Sequence, residues 1–215
     1  MCFSATASFS AGAVLMGAGI ASISKVRGPS QFPFASIPII FSIQQFFESG
    51  LWICLDHKIT PDCSKIFSYL FIILAQSFWP IWIPFSVLLI EKKPERKIIL
   101  RVFFVLGVFL SISLLYFTIR YGASAKVVDH HITYFFNYSP KYTSQISTTY
   151  FLSTIFSFLA SGHSKINVLG VLHLLGLILS LFFFRLSLFS VWCFFAALIS
   201  VYIYFILRSF YEEKH

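Results

Sequence analysis

The chain has 215 residues, of which 58% are hydrophobic, 20% aromatic and only 11% charged, with a mean hydropathy of +0.83. Soluble domains carry about 25% charged residues, so this composition excludes an ordinary soluble globule and points to an integral membrane protein. The formal net charge is +8, but the basic residues fall in short loops between apolar runs. There they orient the chain and meet anionic headgroups, so no nucleic-acid partner is expected.

Seven apolar segments, each near the ~20 residues that cross a bilayer as a helix, are predicted at about 7–24, 34–55, 64–90, 98–120, 145–162, 166–184 and 186–208. They predict a single all-α domain over 1–215, a seven-helix transmembrane bundle. The first segment follows "MCFSATASF", which has no Lys or Arg, so a cleaved leader is not expected. Its Ala13, Gly17 and Ala21 form a small-xxx-small ladder suited to helix packing. The third contains "FWPIWIP", where Pro80 and Pro84 predict a kink. Only "FRLS" separates the sixth and seventh, so a tight turn is expected near Arg185. The loop 121–144 is the one sizeable extramembrane piece, and its aromatics predict that it rests on the membrane interface.

Lys25, Arg27, Lys92, Lys93, Arg96, Lys97, Arg101, Lys165, Arg208 and Lys214 all fall on one side of a seven-span chain. By the positive-inside rule that side is the cytoplasm, with the N-terminus outside and the C-terminus inside. A cell membrane, with multiple passes and the bacterial inner membrane as the expected setting, is the predicted location. The lipid bilayer is the predicted partner, with a small-molecule or lipid ligand as a candidate.

The second segment, "IIFSIQQFFESGLWICL", carries Gln44, Gln45 and Glu48. Spacings of three and four put these on one helical face. A charged carboxylate at that depth costs ~2.5 kcal/mol or more, so Glu48 must be neutral, paired or facing water. Gln76 and His173 are the other deep polar groups, and His173 is a candidate proton-relay partner for Glu48. Gln145, Thr149, Ser153, Ser157 and Ser161 form a stripe at steps of four. It could line a hydrated path or a ligand cleft, but small-residue packing is the favoured reading. In the last segment, Ser190, Cys193, Ala197, Ser200 and Tyr204 form a second inward stripe.

Cys2, Cys54, Cys63 and Cys193 show no CxxC and no metal-ligand spacing. Cys2 has three open readings. Once Met1 is trimmed it is a nucleophile or chelator beside a free amine; it pairs with Cys54 or Cys63 on the oxidising side; or it packs as a small apolar residue. Asp129, His130 and His131 are residue types that ligate metals, and His57, Asp62 and Cys63 could complete such a site. A lone triplet is a weak signal, however, and a solvated interfacial loop is favoured. No cofactor is called for.

The segments "MCFSATASFSAGAVL", "IQQFFESGLW", the "WP" at Trp79 and "SVWCFFAALIS" resemble a family of small multi-spanning bacterial and archaeal membrane proteins that begin Met-Cys-Phe-Ser-Ala. The resemblance covers most of the chain and marks Cys2, Gln45, Glu48, Trp79 and Cys193 as motif residues. It implies a membrane protein and carries no reaction with it. The residues therefore leave three functions open. The first is a polar cavity around Glu48, Gln44, Gln45, Gln76, His173 and Trp79 that binds or moves a small solute or protons. The second is a membrane-embedded enzyme for a lipid or amphiphile. The third is a structural or assembly subunit.

Overall fold

The computed structural model describes residues 4–137 and 143–212, with side chains from 4–137 and 146–212. Helix α1, Ala5–Ile23, begins at Ser4, whose hydroxyl accepts the Ala7 N–H at 3.2 Å, a capping bond that satisfies one orphan donor. A short helix α2, Phe32–Ala35, leads into α3, Ile37–Asp56. The α1 face on α3 is Ser8, Ala11, Gly12, Leu15, Gly19 and Ser22. A Cβ on Gly12 would meet the Phe46 ring at 2.8 Å, and one on Gly19 would meet Ile39 at 2.3 Å. This corrects the expected packing ladder: Ala13 and Gly17 are exposed, and a Cβ on Gly17 meets nothing within 4 Å. Small residues serve both interfaces and lipid-facing surface, so spacing alone does not select the face.

Helix α4, Pro61–Ile72, starts at a Thr60 cap with Pro at its first position. A π-helical turn, Ile73–Phe78, joins it to α5, Trp79–Ile90. Proline accounts for both irregularities here. Pro80 has no N–H for the Gln76 carbonyl, and Pro84 has none for the Pro80 carbonyl. Helix α6, Pro94–Tyr121, crosses at that freed carbonyl, and Gly107 is the residue that admits it. A Cβ on Gly107 would lie 1.8 Å from the Pro80 oxygen.

Gly122, at φ +82°, ends α6. The chain then forms an antiparallel hairpin, β1 (Ala123–Val128) and β2 (His131–Phe136), with Ala123 opposite Phe136 and Val128 opposite His131. The expected irregular loop is therefore a two-stranded sheet, and the fold is helical with one hairpin rather than all-α. Asp129 and His130, both at positive φ, are its two-residue turn. Ile132 and Tyr134 pack into a cluster with Leu51, Trp52, Phe71 and Ile72, so the hairpin caps one end of the bundle.

Helices α7 (Thr143–Leu159), α8 (Ser164–Phe183), α9 (Leu188–Ser200) and α10 (Tyr202–Glu212) complete the chain, with the expected turn at Arg185–Ser187. Six helical stretches among the described residues are long and apolar enough to cross a membrane: Ala5–Ile23, Pro29–Asp56, Pro61–Ile90, Pro94–Tyr121, Ser164–Phe183 and Arg185–Glu212. Ile146–Leu159 is a shorter apolar helix. Val14, Phe109, Ile112, Ile119, Phe182 and Phe183 point outward, an arrangement that is costly in water and compatible with lipid. Leu15, Phe34, Phe41, Trp79, Ile83 and Phe158 are central to the packed core.

Candidate functional site

Helix α3 presents Gln44, Gln45 and Glu48 inward, and all three are fully buried. Glu48 Oε1 accepts the Ser190 hydroxyl of α9 at 2.5 Å. Gln44 Oε1 accepts the Trp79 indole N–H of α5 at 2.7 Å, and the Trp79 ring stacks on Phe41 with centroids 4.0 Å apart. The Gln44 side chain also meets the Cys193 thiol. Three helices are thus pinned to one another by this cluster. Both amide atoms of Gln45 are without a partner among the described residues.

His173 is 4% exposed and makes no hydrogen bond to Gln44, Gln45 or Glu48 among the described residues. Its Nδ1 bonds to the Leu169 carbonyl at 2.8 Å, and its Nε2 has no partner among the described residues. The expected relay partners, Glu48 and His173, are therefore not hydrogen-bonded to each other. His173 lines an inner cavity of about 20 Å³ with Trp79, Tyr150, Thr154, Trp192 and Cys193, large enough for about one water. Across Tyr150 and Trp192 lies a second, larger cleft of about 300 Å³. Gln76 of the π turn, Tyr134 and Phe136 of the hairpin, Ser147 and Phe151 of α7, and Leu188 of α9 are among the residues around it. The Gln76 amide oxygen and the Trp192 indole N–H are buried without partners among the described residues. Glu48 lines neither cavity.

The polar stripe on α7 turns out to be mainly packing. Ser153 donates to the Tyr150 carbonyl and Ser157 to the Ser153 carbonyl, and both serines are fully buried. The residues of α7 that face the two cavities are Ser147, Tyr150, Phe151 and Thr154. On the last span, Ser190, Cys193, Ala197 and Ser200 are buried as expected.

Cys54 and Cys63 form a disulfide across the α3–α4 turn. Neither is left to pair with Cys2, which lies outside the described residues, as does the Gln145 side chain. The Asp129-His130-His131 triplet is the hairpin turn and the first residue of β2. His131 packs edge-on against Phe184 at 5.0 Å. Burial, above all, holds its pKa below the usual value. Among the described residues no group of three His, Cys, Asp or Glu side chains gathers around His130, His131, His57, Asp62 and Cys63.

One buried carboxylate carries no signal in the sequence. Glu91, in the α5–α6 loop, is 3% exposed. Its Oε1 accepts the backbone N–H groups of Lys92 and Lys93, each at 2.9 Å. Its Oε2 accepts the Ser161 hydroxyl at 3.3 Å and the Gly162 N–H at 2.5 Å. Arg96 reinforces the junction by donating to the Ala160 and Ser161 carbonyls at 2.9 and 2.6 Å. Burial raises the Glu91 pKa, but the hydrogen bonds to Gly162, Lys93, Lys92 and Ser161 outweigh it, and the net shift is downward. In the sequence "EKKPERK" Glu91 reads as one member of a solvated charge run.

Comparison with curated proteins and with solved structures gave no match. A family of unknown function, DUF6629, matches residues 1–214. The chain belongs to that family, whose description carries no activity.

Proposed function

We propose that this is a seven-span membrane protein, N-terminus outside, that binds a small, mainly apolar molecule in the cleft beneath the hairpin. The observation that carries the reading is the cleft of about 300 Å³, whose lining residues Gln76 and Trp192 each carry a buried polar atom without a partner among the described residues. Its volume is at the lower end of the range for small-molecule sites, and aromatic walls with a few polar groups are their usual lining. The Gln76 oxygen accepts and the Trp192 N–H donates. A hydroxyl, a protonated carboxyl or a primary amide can satisfy both, so an amphiphile ending in such a group is the predicted ligand class. The cluster of Glu48, Gln44 and Trp79 then acts as the frame that holds α3, α5 and α9 around the site.

Two features support seven crossings. Helix α7 has 17 residues, a rise of about 25 Å against a hydrocarbon core of about 30 Å. It starts beside the hairpin and ends at the Glu91 junction, so it runs from one end of the bundle to the other.

The test is to extract small molecules from the purified protein and from a Ser147→Trp variant, which fills the cleft, and to compare them by mass spectrometry. A hydroxylated, carboxylic or amide amphiphile near one per chain in the parent and depleted in the variant is expected. Identical extracts would contradict the reading.

A further inference from the structure

The end of the bundle opposite the hairpin holds a second kind of pocket. It measures about 340 Å³ and is lined by Arg27, Ser30, Lys92 and His163, with Ile90 and Phe210 as apolar wall. Among the described residues, no acidic side chain is in its lining. Two acids near its lining residues in sequence are committed elsewhere: Glu91 is turned onto the Ser161–Gly162 backbone and its own loop, and Glu212 pairs with Arg208 at 2.8 Å. Among the described residues no ion pair engages Arg27, Lys92 or His163. Three cationic or protonatable groups therefore share one opening without a counter-charge among the described residues.

The arrangement is held in place from several sides. The Arg27 guanidinium lies 3.8 Å over the Tyr211 ring, which Lys25 also approaches at 5.3 Å, cation–π contacts that orient the charge. The Arg27 backbone N–H donates to Gln31 Oε1 at 2.9 Å, fixing the turn after α1. His163 rests against Phe210 with ring centroids 5.0 Å apart. Lys92 follows directly on Glu91, whose four hydrogen bonds fix that loop.

We propose that this pocket binds the phosphate of an anionic phospholipid, with Arg27, Lys92 and His163 on the phosphate and Ile90 and Phe210 against the adjoining glycerol and first methylenes. The cationic rim supplies charge-assisted hydrogen bonds. The apolar wall favours a lipid over a free phosphate ester, which has nothing to place there. Basic pockets at helix ends are where a membrane protein meets such headgroups. The proposal depends on the chain spanning a membrane and not on what occupies the cleft beneath the hairpin.

The experiment is lipid retention by native mass spectrometry. Protein is purified into vesicles with equal phosphatidylglycerol and phosphatidylcholine, then released into a mild detergent. The parent should retain phosphatidylglycerol preferentially, and Arg27→Gln with Lys92→Gln should cut that preference by about tenfold or more. Lys126→Gln, an exposed cation at the hairpin end, should leave it unchanged and controls for general charge. A millimolar excess of glycerol phosphate should not displace the lipid. Equal retention of both lipids by the parent, or a preference unchanged in the double variant, would overturn the proposal. So would glycerol phosphate binding without any lipid preference, since it would assign the pocket to a soluble ester. Should the double variant unfold, Lys92→Gln alone, on an exposed side chain, gives the same reading with a smaller fall.

Discussion

The cluster at Glu48 and the cleft at Gln76 are both polar patches inside an apolar bundle, yet they differ in their surroundings: Glu48 lines neither cavity and Gln76 lines one. At Glu48 the polar groups meet one another across helices: Ser190 on Glu48, Trp79 on Gln44. At the cleft, Gln76 and Trp192 each carry a polar atom without a partner among the described residues and line a space of about 300 Å³. An unpaired buried polar group costs about 1–3 kcal/mol, so the Ser190–Glu48 and Trp79–Gln44 bonds favour the fold, while the atoms of Gln45, Gln76 and Trp192 that have no partner among the described residues disfavour it. Polar groups kept at a cost beside an open space are the ones a ligand can satisfy. On the function proposed above, the difference separates residues that hold the frame from residues that receive a ligand, although both are deep polar groups in apolar helices.

Substitutions should widen or close that distinction. The largest effect is expected from Trp79→Ala, which removes the Phe41 stack and leaves Gln44 Oε1 without its donor. A loss of about 3–5 kcal/mol is expected, read as a large fall in the thermal midpoint in detergent. Glu91→Ala should follow at about 3 kcal/mol, because it strands backbone donors from two loops.

The Glu91 carboxyl also sets a pH signature. Its folded pKa lies below the ordinary value of 4.5. Its contribution to stability is therefore fully present above about pH 4.5 and is lost as pH falls through the lower folded value. Acid titration of unfolding should show this loss in the parent and in Glu48→Gln, and Glu91→Gln should lack it. A parent and a Glu91→Gln variant with the same acid profile would sink the assignment.

Glu48→Gln should cost less, about 1 kcal/mol. The Ser190 hydroxyl can donate or accept, so an amide can still engage it. A loss as large as that of Trp79→Ala would mean that Glu48 is held as a carboxylate and would move it out of the frame. The smallest effect on stability is expected from Gln76→Leu. It deletes an unpaired acceptor and should leave the ligand-free midpoint unchanged or slightly higher.

The helical frame is readable in the sequence because its signal is long and repeated. Apolar runs near span length, the Pro80–Pro84 irregularity and the turn at Arg185 all appear close to where the pattern puts them. The inward face of α3 is readable for the same reason, since spacings of three and four survive any packing. The partners are not. Ser190 reaches Glu48 across 142 positions, and a serine in an apolar run carries no mark of what it meets. The hairpin is hard to read because Asp-His is an uncommon pair for a turn with positive φ. Even so, "AKVV" and "ITYFF" on either side of it are strand-like. Glu91 is hidden among lysines, and only the fold turns it onto the Ser161–Gly162 backbone. The cleft has no sequence signature, because it is the space left where the π turn, the hairpin and α7 diverge.

The most direct measurement is tryptophan quenching by 4-bromobutanol, whose hydroxyl can meet Gln76 and Trp192 while its bromine, four carbons away, stays close enough to quench the indole. Titrated into the protein in nanodiscs, it should quench saturably. Trp192→Phe should remove most of the saturable part, and Gln76→Leu should weaken binding by about tenfold, or ~1.4 kcal/mol. Quenching that rises linearly with lipid-phase concentration, or a saturable curve identical in all three proteins, would contradict a ligand site in this cleft.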